Sequence, residues 1–213
     1  ALWHSGNNPA KWKRQGMFIS DGTDPRYDWQ GFIPHDQKPH MKNPNRGYIG
    51  SANQHPTTSD YPYFLSEFYW ASFRWNQIHT RLDTLHSATV QDMLDIQLDN
   101  RSVFAEKTMP IILRTWKNHL RNDLEKQAFT ILSNWDYEMD GHSPAPTMYR
   151  YWYALLEELT WEDDLGKDND KFIWPYRDKM MELILTDPES HLFDDKTTSQ
   201  TETFSHLSQV NSS

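Results

Sequence analysis

Cysteine is absent from all 213 residues of the sequence. This absence excludes disulfide bonds, thiolate metal sites and a cysteine nucleophile. Basic residues are few beside acidic ones, 21 against 30, which leaves a net charge of −9 with the histidines neutral. Because a surface that neutralises nucleic-acid phosphates needs clustered Lys and Arg, we expect no nucleic-acid partner. No apolar run approaches the ~20 residues of a membrane-spanning helix, so we expect no membrane span either.

The two ends of the chain carry no landmark of a complete protein. The sequence begins Ala1-Leu2-Trp3 with neither an initiator methionine nor a signal peptide, and it ends in a polar stretch over residues 200–213. Ten residues each of Trp, Tyr and Phe nevertheless predict a folded core rather than a disordered chain. We therefore expect an internal piece of a longer folded protein.

A change in composition near residue 60 divides the chain into two predicted regions. Residues 1–60 are rich in Gly, Pro, Asn, Asp and Ser, which predicts loops, with short strands at 17–19 and 47–52 and an extended segment at 29–34. From residue 61 to residue 213 the apolar residues recur at spacings of three and four, which predicts helices. The predicted fold class is mainly α, a helical bundle behind a loop-rich, short-strand N-terminal segment.

Particular helices follow from the periodicity and from end signals. The apolar face over residues 64–82 predicts the first helix, and Thr89 with Asp92 three residues later predicts the capped start of the second. Pro110 is expected to kink or break the third helix, and Pro175 suits the first turn of the last. The remaining predicted helices are 102–119, 123–135, 147–159 and 175–186.

Metal ligands are plentiful but match no known spacing. His35 and His40 are the closest histidine pair and are separated by loop residues, whereas a metal site needs three or four convergent ligands. The acidic run that contains Asp163, Asp164, Asp168 and Asp170 lacks the alternating spacing of a calcium loop. We therefore expect surface histidines, a solvated acidic loop and no cofactor.

Two further kinds of site remain as hypotheses. A catalytic serine is not expected, because there is no Gly-x-Ser-x-Gly elbow and Ser51 has no obvious base. The aromatic residues near the N-terminus are typical either of a sugar-stacking platform or, more often, of a loop pinned by large side chains. These residues are Trp3, Trp12, Tyr27, Trp29 and Phe32.

Residues 43–54 form the most specific segment of the chain. They read Asn-Pro-Asn-Arg-Gly-Tyr-Ile-Gly-Ser-Ala-Asn-Gln, a turn and a short predicted strand followed directly by Asn53. An asparagine amide at a strand end can donate a hydrogen bond to a developing oxyanion, which lowers the barrier by roughly 3 kcal/mol in favourable cases. The alternative is that Asn53 only satisfies its own turn, and chemistry alone favours this alternative.

This segment resembles the β chain of the penicillin acylases, the N-terminal-nucleophile amidases whose pattern runs Asn-Pro-x-x-Gly-x-Ile and then Ala-Asn-Asn or a close variant. Upstream, residues 27–34 resemble the family's Trp-x-Gly-x-x-Pro signature. The likeness covers about residues 1 to 160 with order and spacing preserved. Downstream matches are Asp60, Tyr61, Pro62, Arg74, Ile78, Arg81, Leu82, residues 89–93 and 96–99, Pro110, Trp135, Asp136 and Ser143.

The resemblance implies an αββα fold of which this chain is a fragment. It also implies an enzyme that hydrolyses an amide of a penicillin, a cephalosporin or a related N-acyl compound through an N-terminal serine outside this chain. Asn53 falls on the family's oxyanion asparagine, and Arg74 on an arginine that orders the site. The calcium-site aspartate of some members is not matched, since Phe64-Leu65 stand there, so no metal ligand is assigned and calcium is possible only in the parent protein.

The resemblance also implies an organisation and a location. Residues 1–60 would contribute to the active-site region, and residues 61–213 would form a helical insert. The partners would be the α chain and the rest of the β chain from one precursor, with a small amide as substrate. An acidic, cysteine-free composition fits a periplasmic or secreted bacterial protein. Two alternatives are a non-catalytic helical binding or scaffold domain and a carbohydrate-binding module that uses the tryptophans.

Overall fold

The structure is a computed structural model that describes residues 1–166 and 173–208. Its contacts divide the chain into two compact units, Ala1–Asp92 and Met93–Ser213. Helices dominate the described residues, and the only sheet found there has two short strands. The predicted fold class, mainly α with a loop-rich N-terminal segment, is confirmed.

The first unit is built mostly from loops. Strand β1 (Leu2–Trp3) pairs antiparallel with strand β2 (His40–Met41), and two 3-10 turns lie at Pro25–Tyr27 and His35–Gln37. The α-helix α1 (Phe73–Asp83) lies near the C-terminal end of the unit. A long loop segment of this kind is typical of a region that lines something functional.

Three local predictions for this unit are wrong or only partly right. Residues 17–19 form no strand, and Phe18 and Ile19 are exposed without a backbone partner. Residues 47–52 are not a strand either, because side chains of α1 rather than a second strand lie beside them. The extended segment at 29–34 does pair with residues 8–10, through an antiparallel bridge between Phe32 and Pro9 and three backbone hydrogen bonds of 2.8–2.9 Å on either side of it.

The first predicted helix begins later than its apolar pattern. Phe64 lies in an isolated antiparallel bridge with Lys11, whose Nζ donates to the Leu65 carbonyl at 3.2 Å. These contacts between distant parts of the chain hold residues 64–65 out of a helix, so the tertiary structure overrides the periodicity. Helical structure starts only at Phe73.

The second helix confirms its predicted capped start. Helix α2 spans Val90–Gln97 and follows Thr89 directly. The Thr89 backbone N–H donates to Asp92 Oδ2 at 2.7 Å, and the Asp92 N–H donates to Thr89 Oγ1 at 3.2 Å. The two residues therefore satisfy each other's orphan N–H groups, as a capping box does.

The second unit is a bundle of the remaining helices. Each of the four predicted helices is present, as α3 (Val103–Trp116), α4 (Asp123–Ser133), α5 (Pro144–Leu165) and α6 (Arg177–Thr186). Helix α3 packs on α4 and α6, and α4 packs on α5. Helix α3 continues through Pro110 without a break, and α6 begins two residues after Pro175. A 3-10 turn at His191–Phe193 and a short helix α7 (Phe204–Leu207) follow.

The core of this unit is aromatic and aliphatic. Leu156 and Trp161 of α5, Met180 of α6, Phe193 and Phe204 are each at most 2% exposed.

The longest helix, α5, has 22 residues but carries six charged side chains. Within the described ranges, no helix is both long and apolar enough to cross a membrane.

Candidate active site

Asn53 and Arg74, the two site residues predicted from the sequence, are in contact in the structure. Arg74 lies in the first turn of α1, and its Nη2 donates to Asn53 Oδ1 at 2.8 Å and to the Ala52 carbonyl at 3.1 Å. Ala52 is buried at 7% exposure, whereas Asn53 itself is exposed. The guanidinium therefore holds the backbone and the side chain at this point together.

This contact determines which end of the Asn53 amide is available. An asparagine amide has one acceptor oxygen and one NH₂ donor. Arg74 occupies the oxygen, and Nδ2 makes no hydrogen bond to any residue in the described part of the chain. The free end of the side chain is therefore an NH₂ donor, and an amide donor is one kind of group that can stabilise an oxyanion.

The geometry also bears on the alternative in which Asn53 satisfies its own turn. The local side-chain bond in this turn comes from Gln54, whose Oε1 accepts from the Ala52 N–H at 2.7 Å. Asn53 has a φ of +66°, in the left-handed region that Asn tolerates better than most residues. Gln54 rather than Asn53 thus makes the turn's side-chain hydrogen bond.

The segment that carries Asn53 runs antiparallel along α1. Tyr48 lies beside the C-terminal end of the helix, Gly50 beside Trp75, and Asn53 beside Arg74. The order of these contacts is therefore opposite along the segment and along the helix.

Gly50 is the point of closest approach between this segment and the helix. A Cβ atom at this position would lie 2.8 Å from Trp75 Cζ3, closer than real Cβ contacts. We expect Gly50→Ala to lower the free energy of unfolding by about 1 kcal/mol, since the added methyl must displace either the ring or the segment. Urea unfolding of both chains would measure the difference.

Gly22→Ala is the matched control for this prediction. Gly22 has nothing within 4 Å of an added Cβ, and it is not among the residues with positive φ. The same methyl group should therefore leave stability unchanged there. Equal unfolding curves for the two variants would contradict the close packing of Gly50 on Trp75.

Sequence reasoning missed three residues at the other end of this segment. The Tyr48 hydroxyl lies 2.8 Å from His79 Nδ1 and 2.8 Å from Asp83 Oδ1, and His79 Nδ1 lies 3.1 Å from Asp83 Oδ2. Desolvation of the phenol and its hydrogen bond to Asp83 raise the pKa of Tyr48 above its ordinary value. The one available signal was the i,i+4 spacing of His79 and Asp83, which puts both on one helix face.

The Arg46 side chain extends this cluster. Its guanidinium carbon lies 5.0 Å from the ring centre of Tyr48 and 5.3 Å from that of Trp75, within the range of cation–π contacts. The Arg46 Nε also donates to the Tyr48 carbonyl at 3.1 Å. Arg46 therefore braces the start of the segment against α1.

An open groove of about 850 Å³ lies beside the segment within the first unit. Its walls include Ser51 and Gln54, on either side of the Ala52–Asn53 pair, and also Trp3 and Arg46. The volume falls within the range of small-molecule sites. The groove therefore borders the segment at the residues next to this pair, and neither Ala52 nor Asn53 itself lines it.

The histidines singled out in the sequence take part in stacking. The Trp3 ring lies between His35 and His40, with ring centres 5.1 and 4.2 Å apart and planes within 14° and 11° of parallel. Both histidines are exposed, as expected. Within residues 1–166 and 173–208, no group of three His, Asp or Glu side chains is arranged to hold a metal ion.

Asp163 and Asp164 lie in the last turn of α5, so the predicted acidic loop is wrong for these two residues, because the helix continues to Leu165 and ends before Gly166, whose φ is +78°. The Lys196 N–H donates to Asp163 Oδ2 at 2.9 Å, and Lys196 Nζ contacts Asp164 Oδ1. Asp168 and Asp170 lie outside the described residues. The two described carboxylates thus form hydrogen bonds and an ion pair within the protein.

Four of the five N-terminal aromatic residues form two pairs. The ring centres of Trp12 and Tyr27 are 6.0 Å apart, and those of Trp29 and Phe32 are 6.3 Å apart in an edge-on arrangement. Trp29 and Phe32 remain about 60% exposed. Their tilted rings present no shared flat face.

The sequence is similar to those of known amidases and acylases. The family model described as penicillin amidase matches residues 1–212. The acyl-homoserine lactone acylase QuiP of Pseudomonas syringae pv. tomato is 25% identical over 179 residues, which are 77% of this chain and 21% of the relative. The penicillin acylase 2 proenzyme of Pseudomonas sp. strain SE83 is 26% identical over 155 residues, 71% of this chain and 19% of the relative. Penicillin G acylase of Escherichia coli is 27% identical over 127 residues, which are 54% of this chain and 15% of the relative. The chain spans about a fifth or less of the length of these relatives.

Proposed function

The chain belongs to the penicillin amidase family, and on that premise we propose that the protein containing it is an amidase, which splits an N-acyl compound into a carboxylic acid and an amine. The observation that carries the proposal is the hydrogen bond from Arg74 to Asn53 Oδ1 at 2.8 Å. It leaves the Asn53 NH₂ group as an oriented donor. The relatives' names, acyl-homoserine lactone acylase and penicillin acylase, support an N-acylated lactone or β-lactam amine as the substrate.

In the proposed mechanism the nucleophile is an N-terminal serine that comes from outside these 213 residues. Its hydroxyl oxygen attacks the amide carbonyl while its own α-amine accepts the hydroxyl proton. The carbonyl oxygen becomes negatively charged, and Asn53 Nδ2 donates a hydrogen bond to it. Collapse of this intermediate expels the amine, which takes up the proton, and water then hydrolyses the acyl-enzyme to the carboxylic acid. Arg74 keeps the Asn53 amide in the donating orientation throughout.

The groove of about 850 Å³ supports a small-molecule substrate, because Ser51 and Gln54, near neighbours of Asn53 in the chain, line its wall. In this proposal residues 1–60 contribute to the active-site region and residues 61–213 form a helical insert. The rest of the precursor, its α chain and the remainder of its β chain, supplies the αββα layers and the nucleophile. A periplasmic or secreted location is supported by the acidic, cysteine-free composition. No residue described here is assigned to calcium.

The test compares the full-length protein with the 213-residue chain alone. Each is incubated with an N-acyl homoserine lactone and with a phenylacetyl anilide, and release of the amine is followed. We expect the full-length protein to hydrolyse at least one substrate and the isolated chain to hydrolyse neither, because nucleophile and base belong to one missing residue. Turnover by the isolated chain would refute the placement of the nucleophile, and a silent full-length protein would favour a binding or scaffold role.

A further inference from the structure

Tyr48, His79 and Asp83 form a closed set of hydrogen bonds. A tyrosine has one hydroxyl proton, and an ionised carboxylate only accepts, so the Tyr48 hydroxyl donates to Asp83 Oδ1 at 2.8 Å. His79 Nδ1 lies 2.8 Å from the Tyr48 oxygen and 3.1 Å from Asp83 Oδ2. Since both of these oxygens can accept, Nδ1 carries a proton and donates to them.

These hydrogen bonds lie so near the surface that they contribute little to the stability of the fold. The side chains of His79 and Asp83 are 37% and 53% exposed. Ion pairs at such exposure contribute little to folding, because solvent screens them. The set nevertheless fixes the Tyr48 ring in one orientation, which Arg46 on the ring face and His79 edge-on further restrict.

The segment between Tyr48 and Asn53 transmits this orientation along the helix. Tyr48 meets His79 and Asp83, Gly50 and the Arg46 side chain meet Trp75, and Ala52 and Asn53 meet Arg74. Because no ladder of backbone hydrogen bonds holds the segment, contacts that involve side chains set its register on α1 in the first unit. Freeing the Tyr48 hydroxyl removes the hydrogen bonds to the C-terminal end of the helix and leaves the contacts with Trp75 and Arg74.

We propose that Tyr48, held by His79 and Asp83, is a positioning residue that sets the register of the segment on α1 and thereby the position of the Asn53 amide. The inference rests on the proposed function, because it concerns the same oxyanion donor. Tyr48 acts through Asn53 and does not itself touch the substrate. A small displacement of a catalytic donor is enough to slow a reaction substantially.

Tyr48→Phe in the full-length protein is the direct test, since it removes only the hydroxyl. We expect kcat for acylation to fall by about tenfold with KM and the melting temperature nearly unchanged. Tyr63→Phe is the matched control, because the Tyr63 hydroxyl donates to Gln37 Oε1 in the same unit and also loses one hydrogen bond. It should leave kcat unchanged.

The same substitution in an Asn53→Ala background separates positioning from other effects. If Tyr48 acts through Asn53, the tenfold loss disappears in this background, because there is no amide left to misplace. A loss of the same size in both backgrounds, or none in the native background, would overturn the inference while the proposed function stands. If Asn53→Ala alone has no effect, the proposed oxyanion role fails and the inference fails with it.

Asp83 provides a second route if Tyr48→Phe does not fold. Asp83→Asn keeps an oxygen that can accept from the Tyr48 hydroxyl, whereas Asp83→Ala does not. We expect Asp83→Ala to reproduce the loss of kcat and Asp83→Asn to restore most of it. Equal kcat values for the two variants would overturn the inference.

Discussion

Replacing Asn53 with alanine in the full-length protein should lower the acylation rate by about 10²–10³ with little change in substrate binding. The negative charge on the carbonyl oxygen exists only as the tetrahedral state forms. An amide dipole that points at that oxygen therefore lowers the barrier without binding the ground state more tightly. The measurement is single-turnover acylation of processed enzyme whose active sites have been titrated.

The backbone at Asn53 calls for a second variant. Its φ of +66° is unfavourable for alanine, so Asn53→Ala loses stability as well as the amide. Asn53→Gly also lacks the amide but adopts positive φ freely. We expect the acylation rate to fall by the same factor in both variants, and the glycine variant to be more stable than the alanine variant.

Asn76→Ala serves as the control on the same helix. Asn76 is an exposed residue of α1, two positions after Arg74, and no hydrogen bond of its side chain to another described residue is present. Its replacement should leave the acylation rate unchanged. An unchanged kcat per titrated site for Asn53→Gly, with only the melting temperature lowered in Asn53→Ala, would return Asn53 to a purely structural role.

The contact between Asn53 and Arg74 shows what an ordered motif can predict. The two residues are 21 positions apart, and neither composition nor periodicity relates them. Both matched the family pattern, and the structure brings them within hydrogen-bond distance. The cluster of Tyr48, His79 and Asp83 matched no motif, and its contacts cross 31 and 35 positions. Such contacts depend on how the segment packs on α1, and this packing cannot be predicted from the local sequence.

The helices show the same division between local and distant effects. Thr89 and Asp92 were predicted correctly because a capping box involves only neighbouring residues. Residues 64–72 have apolar residues at helical spacing but are not helical. Phe64 instead pairs with Lys11, which is 53 positions away in the sequence, and this distant contact cannot be predicted from the local pattern. Helix α5 begins at Pro144, earlier than its apolar pattern, where Ser143 Oγ accepts from the Ala145 N–H at 3.3 Å. That start was readable, since Ser before Pro is a typical helix N-terminus.

Leu156→Ala should lower the free energy of unfolding of the second unit by about 3 kcal/mol. Leu156 lies in α5 and is 0% exposed, and α5 packs on α4 and on the His191–Phe193 turn. Removing the methine and the two methyl groups beyond Cβ loses their transfer free energy and leaves a cavity that the packed helices close only partly. Urea unfolding of the 213-residue chain, followed by the helical circular dichroism signal, measures the loss.

Leu124→Ala is the matched control, because it removes the same atoms from a helix of the same unit at a site that is 75% exposed. Unfolding exposes little additional apolar surface of a leucine that is already exposed, so we expect a change below about 0.5 kcal/mol there. The dependence of unfolding free energy on urea should have the same slope in both variants, since neither changes the surface that unfolding exposes by much. A loss at Leu156 no larger than that at Leu124 would mean that α5 does not pack as the core helix of this unit. A full loss at Leu156 with native stability at Leu124 would locate the stabilising contacts of the second unit on the buried face of α5.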